Sequence, residues 1–503
     1  MSSEELPPGA SISRNTAFAL VARLGSAVFT AALTLFLARY LGADEFGVFS
    51  LALGIGAVLL LPADFGISNS TARFLAERRH SRAAVADVLR TATRLKLVLS
   101  GTVSVALFAL AGPIQSAYDA SGLAWAIRGM AISILAQSLV LLYMSVADAL
   151  TRVSLTLRLV LSESAIEFGA SIALVLLGFG AGGAAFGRAI GYIAGAAIGA
   201  ILLARTLGRH ARQPPEGERV GARRLATYGG ALLIVEGAFT LFQQIDVLLI
   251  GALLSAKSVG LFQAPMRLTA FLHYPGISLA SGVAPRLARR EGHEREVEPF
   301  LRAIRYLVLL QAFITVVAVV WAEPIINLLL GSRFAKSADV LRALGPFIFL
   351  TGFGALLPLA VNYLGEARRR MPIAIGTVLI NIVIDLILIP KIGVVAGAIG
   401  TDAAYLLYVP AHYWLCRQIL GLPIRPLAIT LGRAALAGAA AAGVLALFGV
   451  SSVAVPLMVV GGAAALVTYL AVLTASRELD SVDFRDARSL LGSLRPSPGQ
   501  TSH

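Results

Sequence analysis

The hydrophobic pattern of the chain is a series of long apolar stretches separated by short polar segments. Each stretch runs for about 20 residues, the length that an α-helix needs to cross the hydrocarbon core of a bilayer. We count fourteen stretches and interpret them as membrane spans 1 to 14. They lie near residues 15–38, 47–70, 95–114, 122–147, 159–178, 182–204, 226–251, 259–283, 303–322, 338–363, 372–390, 394–415, 428–448 and 453–474.

This pattern predicts an all-α polytopic membrane protein. Backbone groups inside a bilayer find no water to bond, so a spanning segment must satisfy them itself, as a helix does. A transmembrane β-barrel would show alternating segments of about 10 residues, and the sequence has none. The composition agrees, because 57% of the 503 residues are hydrophobic and only 14% are charged. A soluble protein carries about 25% charged residues, so little of the chain remains for a soluble domain.

The basic residues are distributed unequally between the two sides of the predicted membrane. The chain has 42 Lys and Arg against 28 Asp and Glu, a net charge of +14. The side that carries both termini holds 31 of the basic residues, the opposite side holds five, and six fall inside spans or near their ends. Cytoplasmic loops are enriched in Lys and Arg. The basic balance therefore predicts cytoplasmic termini, and it does not indicate a nucleic-acid partner.

The sequence contains an internal repeat with an offset of 213 residues. Residues 41–49 lie over 254–262, and Pro62 lies over Pro275. The offset places span 1 on span 7 and span 6 on span 12, so both copies cross the membrane in the same direction. Transporters often place their substrate site at such a repeat interface. The predicted regions are a cytoplasmic N-terminus (1–14), an N-lobe (15–204), an inter-lobe linker (205–225), a C-lobe (226–415), spans 13 and 14 (428–474) and a cytoplasmic tail (475–503).

Three stretches carry a resemblance to a known family. They are residues 37–47, with the nearby Asp64-Phe-Gly and Arg73, then residues 246–262, and then residues 381–401. They resemble the polysaccharide and lipid-linked oligosaccharide flippases of the multidrug/oligosaccharidyl-lipid/polysaccharide exporter superfamily, over about residues 12–420. The resemblance implies that an undecaprenyl-diphosphate-linked oligosaccharide, such as an O-antigen, capsule or exopolysaccharide repeat unit, is moved across the bacterial inner (plasma) membrane by alternating access.

Several arginines fall inside the predicted spans. A charge at the bilayer centre costs roughly 2.5–3.5 kcal/mol on insertion scales, so such a residue is expected to face a cavity or a partner. Guanidinium donates two parallel hydrogen bonds to phosphate oxygens. The candidate substrate-binding residues are Arg23, Arg267, Gln243, Arg128 and Arg188. An alternative for Arg23 is an ion pair with Glu236 or Asp64 that only locks the packing of the lobes.

Acidic residues within the spans are candidates for ion coupling. Asp64, Glu236, Asp246, Asp385 and Asp402 form this group, and each could instead belong to an ion pair or an interhelical hydrogen bond. Asn381 and Asp385 share a helix face at a spacing of four residues, as do Glu163 and Glu167. The expected coupling ion is H⁺ or Na⁺. No metal-ligand spacing occurs, Cys416 is the single cysteine, and neither a cofactor nor a metal site is expected.

Two other functions fit a chain of this kind less well. A cation-coupled multidrug exporter of the same superfamily predicts an acidic and aromatic cavity, whereas several of the charges here are arginines. A glycan polymerase or ligase needs acid and base groups on a sizeable outer loop or domain, and the longest outer loop, near 323–337, has about 15 residues. We therefore expect a transporter and not an enzyme. Its expected partners are the lipid-linked glycan, the bilayer, and a glycan polymerase or glycosyltransferase.

Overall fold

The described part of the protein is built from helices joined by short turns and loops. The computed structural model describes residues 12–78, 81–208, 220–288, 296–480 and 483, and these ranges contain no β-strand. The helices are α1 (Ile12–Asp64), α2 (Ile67–Ala76), α3 (Arg82–Tyr118), α4 (Leu123–Ala149), α5 (Val153–Leu174), α6 (Gly180–Leu207), α7 (Ala222–Leu253), α8 (Ala256–Thr269), α9 (Tyr274–Val283), α10 (Val297–Val320), α11 (Ala322–Leu329), α12 (Ser337–Ala343), α13 (Gly345–Thr351), α14 (Phe353–Tyr363), α15 (Met371–Ile392), α16 (Val395–Leu420), α17 (Ile424–Leu447) and α18 (Val455–Ala475).

Within the described ranges, nine helical segments are long and apolar enough to cross a membrane. Two of them, Val21–Asp64 and Val153–Leu207, have 44 and 55 residues. At a rise of 1.5 Å per residue the shorter one is about 66 Å long, twice the thickness of the hydrocarbon core. Each is interrupted by a glycine with positive φ, Gly42 (74°) in the first and Gly178 (91°) in the second. Each is therefore long enough for two crossings. The all-helical polytopic fold is confirmed, and the count of fourteen spans stays a prediction.

Breaks within the helices are the main departure from the predicted spans. Span 2 was expected to run to residue 70, but α1 ends at Asp64 because Phe65 (φ 47°) and Gly66 (φ 66°) adopt left-handed conformations. Span 8 is likewise divided into α8, a 3₁₀ turn at Ala270–His273, and α9. Span 10 is divided into α12, α13 and α14. Apart from His273, the residues at these breaks are apolar or small, so the hydrophobic pattern does not show them.

The contacts divide the chain into two compact units. Unit 1 comprises Met1–Leu268, Leu329–Val340 and Ala374–Thr401, and unit 2 comprises Thr269–Leu328, Leu341–Ile373 and Asp402–His503. Unit 1 thus contains the predicted N-lobe, all of α7, most of α8 and most of α15. The predicted lobe boundaries stay a prediction.

In unit 1, a row of glycines brings α6 into close contact with α5. A glycine recurs at every fourth position, at Gly183, Gly187, Gly191, Gly195 and Gly199. A Cβ atom at Gly187 would overlap the backbone of Ser171, and one at Gly191 would lie 2.6 Å from Cβ of Glu167. Small residues at this spacing let the backbones of membrane helices approach closely. The row therefore places the acidic side chains of α5 directly beside α6.

Repeat-equivalent residues contact one another within unit 1. Gly47 packs against Ala256, and Gly260 packs against Ala43, so closely that a Cβ on either glycine would overlap the partner's carbonyl oxygen. Asp44 Oδ2 and Lys257 Nζ form an ion pair of 3.1 Å between the same two segments. The 213-residue repeat places Ala43 over Ala256, Asp44 over Lys257 and Gly47 over Gly260. A reciprocal contact of this kind is what two copies of a unit make around a two-fold axis, so the structure supports the internal repeat.

Helix α15 is arranged inside out compared with a helix of a soluble protein. Its buried face carries Thr377, Asn381 and Asp385, spaced by four residues. Its exposed face carries large apolar side chains, among them Leu379 and Val383, each more than half exposed. A soluble helix buries its apolar stripe and exposes its polar one. The reversal indicates that lipid covers the apolar face and that the polar face serves a site inside the protein.

In unit 2, α17 and α18 pack against α10. Tyr469 Oη donates to the carbonyl oxygen of Leu309 at 2.7 Å. The buried Glu478 carboxylate, just beyond α18, accepts from Arg305 Nε and from Arg433 Nη1, both at 3.0 Å. Burial alone would raise the pKa of the neighbouring Asp483, but hydrogen bonds from Arg305, the Asp480 backbone and Tyr306 lower it to about 2. These charged contacts attach the chain after α18 to α10.

A methyl group added to the glycine row of α6 tests its role. We expect Gly187→Ala to lower the free energy of unfolding by about 1–3 kcal/mol, the usual cost of forcing extra atoms into a packed core. The measurement is thermal or denaturant unfolding of the purified protein in detergent. Gly169→Ala is the matched control, because a Cβ there meets nothing within 4 Å and alanine favours the helix. Equal stability of the two variants would contradict the packing account.

Candidate functional site

Arg188 of α6 forms a buried ion pair with α5. Its Nη1 lies 2.7 Å from Glu167 Oε1, and its Nη2 donates to Tyr192 Oη at 3.0 Å. The guanidinium carbon also lies 4.7 Å from the centre of the Tyr192 ring. The side chains of Arg188 and Glu167 remain 19% and 13% exposed. The pair is therefore largely desolvated, yet both side chains are still reachable from outside.

A second carboxyl group adjoins this pair. Glu163, one turn away on α5, lies within hydrogen-bonding range of the Glu167 carboxyl group. Its Oε2 accepts from Ser164 Oγ at 3.2 Å, and its Oε1 receives no donor from the described residues. Two carboxylates repel, whereas a carboxylate and a carboxylic acid can form a hydrogen bond. One proton shared between the two groups would relieve that repulsion.

Arg267 of α8 brings a second guanidinium to the same place. It interacts electrostatically with Arg188 and Glu167, and its guanidinium carbon lies 5.5 Å and 5.8 Å from the ring centres of Phe46 and Phe49. Its Nη2 atom is buried and has no hydrogen-bond partner among the described residues. An unsatisfied buried donor costs about 1–3 kcal/mol, and more when charged. We call Arg188, Arg267, Glu163 and Glu167 the arginine cluster.

A second buried cluster lies between α7, α15 and α16. Asp246 Oδ1 accepts from Asn381 Nδ2 at 2.8 Å, and Asp246 Oδ2 accepts from Thr401 Oγ1 at 2.7 Å. The Asp385 carboxyl group lies within hydrogen-bonding range of that of Asp246. A side chain at Gly400 would overlap Asp385 Oδ1, so glycine is needed there. We call Asp246, Asn381, Asp385 and Thr401 the aspartate cluster.

The aspartate cluster has oxygen atoms but no internal cation. Asp385 and Asn381 are fully buried, and Asp246 is 4% exposed. Neither oxygen of Asp385, nor Asn381 Oδ1, is bonded by a donor from the described part of the chain. In the 213-residue repeat, Thr401 lies over Arg188. The position that supplies a guanidinium in the first copy therefore supplies a neutral hydroxyl group in the second.

Asp64 is paired with Lys96, a residue that the sequence analysis did not nominate. Lys96 Nζ forms a short ion pair with Asp64 Oδ1. It also donates to Ser68 Oγ and to the carbonyl oxygen of Ser138, both at 2.7 Å. The side chain is completely buried, and it joins α3 to α4 and to the break between α1 and α2. The available signal was a single lysine at the start of the apolar stretch 95–114.

The other nominated residues lie outside both clusters. Arg128 lies 5.5 Å and 5.2 Å from the ring centres of Phe108 and Trp125. Those rings are 46% and 60% exposed, whereas Arg128 Nε is buried and has no hydrogen-bond partner among the described residues. Arg23 and Gln243 are exposed.

Of the remaining nominated acids, Asp402 has a described side chain and Glu236 does not. Asp402 Oδ1, in unit 2, accepts from the Phe347 backbone nitrogen at 2.8 Å and so fixes the first turn of α13. The side chain of Glu236 lies outside the described residues, so its proposed pairing with Arg23 stays a prediction.

The sequence matches a known family over most of its length. Residues 36–339 match the family described as "Polysaccharide biosynthesis protein". The chain belongs to this family. A relative in Haloferax volcanii, named as a probable low-salt glycan biosynthesis flippase, Agl15, is 23% identical over 385 residues. That alignment covers 75% of this chain and 78% of the relative.

Solved structures of other membrane transporters have a similar fold. The lipid II flippase MurJ, in an inward closed conformation, superposes with a TM-score of 0.73 at 14% identity, over 92% of this chain and 99% of that one. An inward-facing multidrug resistance MATE family transporter of the MOP superfamily gives a TM-score of 0.64 at 15% identity, over 79% and 96%. At these identities the likeness shows the fold, and this polysaccharide biosynthesis protein has the fold of that superfamily.

The pairing of Lys96 with Asp64 can be tested by removing one partner and then both. We expect Lys96→Met to lower the free energy of unfolding by about 3–5 kcal/mol, because it leaves a buried carboxylate unpaired. The double variant Lys96→Met/Asp64→Asn should recover most of this loss. Lys257→Met is the control, since the Lys257 and Asp44 side chains are 58% and 70% exposed and such pairs contribute about 0–1 kcal/mol. If the double variant were no more stable than the single one, the ion pair would not be the source of the loss.

Proposed function

We propose that the protein flips an undecaprenyl-diphosphate-linked oligosaccharide from the cytoplasmic to the outer leaflet of a bacterial inner membrane. The proposal has both termini in the cytoplasm and the two repeat copies alternating access. A glycosyltransferase would complete the substrate before transport, and a glycan polymerase would use it afterwards. Membership of a polysaccharide biosynthesis family and the flippase relative support a transport role, and the polytopic helical fold is suited to it.

The observation that carries the proposal is the buried, unpaired Nη2 of Arg267 beside Arg188. The arginine cluster holds two guanidinium groups against two carboxyl groups, and with one proton shared between the carboxyl groups its net charge is +1. An anion of the right shape would satisfy the free donor and neutralise the excess charge. The planar fork of guanidinium matches phosphate oxygens, and a diphosphate offers enough oxygens to reach both arginines.

The aspartate cluster is the proposed coupling site. Its two carboxyl groups, one amide oxygen and one hydroxyl oxygen are hard oxygen ligands, which suit a hard cation. Two buried carboxyl groups side by side need either a shared proton or a bound metal cation such as Na⁺. Binding such an ion changes the charge between α7, α15 and α16. Ion entry at this site could therefore bias the equilibrium between conformations that alternating access requires.

The same superfamily fold offers drug export as the second candidate function. The aspartate cluster and the structural likeness to a MATE transporter favour it. The arginine cluster opposes it, because guanidinium groups repel cationic drugs. The transport assay below therefore includes a cationic dye as a competing substrate.

Substitution of Arg267 tests the proposed substrate site. In proteoliposomes carrying a fluorescent lipid-linked oligosaccharide, we expect Arg267→Ala to slow flipping at least tenfold. Loss of a charged hydrogen bond costs about 1.5–3 kcal/mol, and 1.4 kcal/mol is a factor of ten. Arg267→Lys should be intermediate, because lysine keeps the charge and loses the fork. Arg342→Ala is the control, since the Arg342–Glu323 pair is exposed, with 3.7 Å between its charged atoms. Undiminished flipping by Arg267→Ala, or transport of the cationic dye in place of the glycolipid, would refute the proposed function.

Substitution of Asp385 tests the proposed coupling site. We expect Na⁺ in place of choline, or a lower pH in the absence of Na⁺, to raise the thermal stability of the purified protein. An ion at ten times its dissociation constant adds about 1.4 kcal/mol. Asp385→Asn should abolish the response, whereas Asp44→Asn, at an exposed carboxylate, should retain it. A response to neither ion in the unchanged protein, or an equal response in Asp385→Asn, would contradict the coupling site.

A further inference from the structure

The bond between Arg188 and Glu167 connects anion binding to proton uptake. We propose that an anion bound to Arg188 and Arg267 displaces the Glu167 carboxylate, and that Glu167 then takes up a proton from solution. The inference rests on the proposed function, because it assumes that the arginine cluster receives the diphosphate headgroup. It adds a second ionic event to the transport cycle, at a place distinct from the aspartate cluster.

The displacement follows from the geometry of Arg188. Of its guanidinium donors, one group is bonded to Glu167 at 2.7 Å and another to Tyr192 at 3.0 Å. An anion that engages the Nη1/Nη2 edge of Arg188 through two parallel bonds therefore competes with Glu167. The 19% and 13% exposure of the paired side chains gives such an anion access. A diphosphate carries more charge than a carboxylate, and Arg267 holds a free donor beside it.

The proton uptake follows from what would then surround Glu167. On its own helix it faces Glu163, and from α6 it faces Arg188 and Tyr192. From α8 it faces Arg267. Once a diphosphate occupies both guanidinium groups, no positive charge among these neighbours remains for Glu167. A carboxylate in that position would lie between a dianionic ligand and the carboxyl group of Glu163.

Among the described contacts, helix α1 places Phe46 and Phe49 against Arg267 and a hydroxyl group near Glu163, since Ser164 Oγ, which donates to Glu163, also contacts Ser26 Oγ at 3.2 Å. No cation from α1 among the described contacts can therefore replace Arg188. An unpaired buried carboxylate is strongly disfavoured, and the group neutralises instead. A proton from solvent would bind a Glu167 carboxylate oxygen, and the only bond formed is that O–H bond. When the anion leaves, Arg188 pairs with Glu167 again and the proton returns to solution.

The test measures protons and binding together on the full-length protein in detergent. The probe is geranylgeranyl diphosphate, titrated calorimetrically in buffers of different ionisation enthalpy. We expect about one proton taken up per bound molecule, with affinity falling by up to tenfold per pH unit as the pH rises through the range of uptake. Inorganic pyrophosphate should cause the same uptake, because the headgroup is the trigger. Geranylgeraniol, which lacks phosphate, should cause none.

Two variants separate this exchange from a purely structural role. Glu167→Gln removes the competing carboxylate and the proton acceptor, so it should bind the probe about tenfold more tightly and take up no proton beyond that of the ligand itself. Asp44→Asn, at an exposed carboxylate, should behave as the unchanged protein. Infrared difference spectra of the unchanged protein give a readout that needs no variant, since anion binding should add a protonated-carboxyl band.

The outcomes of this test separate the proton exchange at Glu167 from the proposed anion site at Arg188 and Arg267. Failure of the unchanged protein to bind geranylgeranyl diphosphate would overturn the anion site and, with it, the proton exchange. Binding without proton uptake, or weaker binding by Glu167→Gln, would overturn the exchange and leave the anion site standing. Uptake caused by geranylgeraniol would also overturn it, because the anion would then not be the trigger.

Discussion

A charge buried within the membrane must find a partner, and this requirement organises the polar interior of the protein. Lys96 satisfies it with Asp64 and two further acceptors, and Arg188 satisfies it with Glu167 and Tyr192. Since removing one partner of a buried pair costs about 3–5 kcal/mol, each pair fixes the helices that carry it. Arg267 and Asp385 are different, because within the described residues each keeps buried polar atoms without a partner.

The close packing of α5 and α6 explains how such different groups can share one fold. The glycine row of α6 lets the two backbones approach, so that Glu163 and Glu167 lie beside α6 and not beside lipid. In the 213-residue repeat, Gly400 lies over Gly187, but Gly376 and Ile380 lie over Glu163 and Glu167, and Thr401 lies over Arg188. The acids of the two clusters therefore stand at different positions of the repeat, although both clusters lie beside an equivalent glycine.

The sequence was sufficient for the fold class but only partly for the site. Apolar stretches of about 20 residues predicted membrane helices because the bilayer imposes that length. They could not predict the break at Phe65 and Gly66, because backbone conformation there does not alter hydrophobicity. Arg188, Arg267, Asp246 and Asp385 were nominated from their burial cost. Which of these residues pair with one another was not predicted, because helical spacing relates residues on one helix and does not show which face a neighbouring helix presents.

Electrostatics also bears on the return of the empty transporter. In the proposed cycle, arginines that receive a diphosphate would return without it, and an unpaired guanidinium inside the membrane would oppose that step. In the structure, Glu167 pairs with Arg188. Under that proposal the carboxylate would take the place of the headgroup, so the charge of Arg188 would be compensated in both the loaded and the empty state. Arg267 Nη2 has no such partner among the described residues, and its free donor would favour loading.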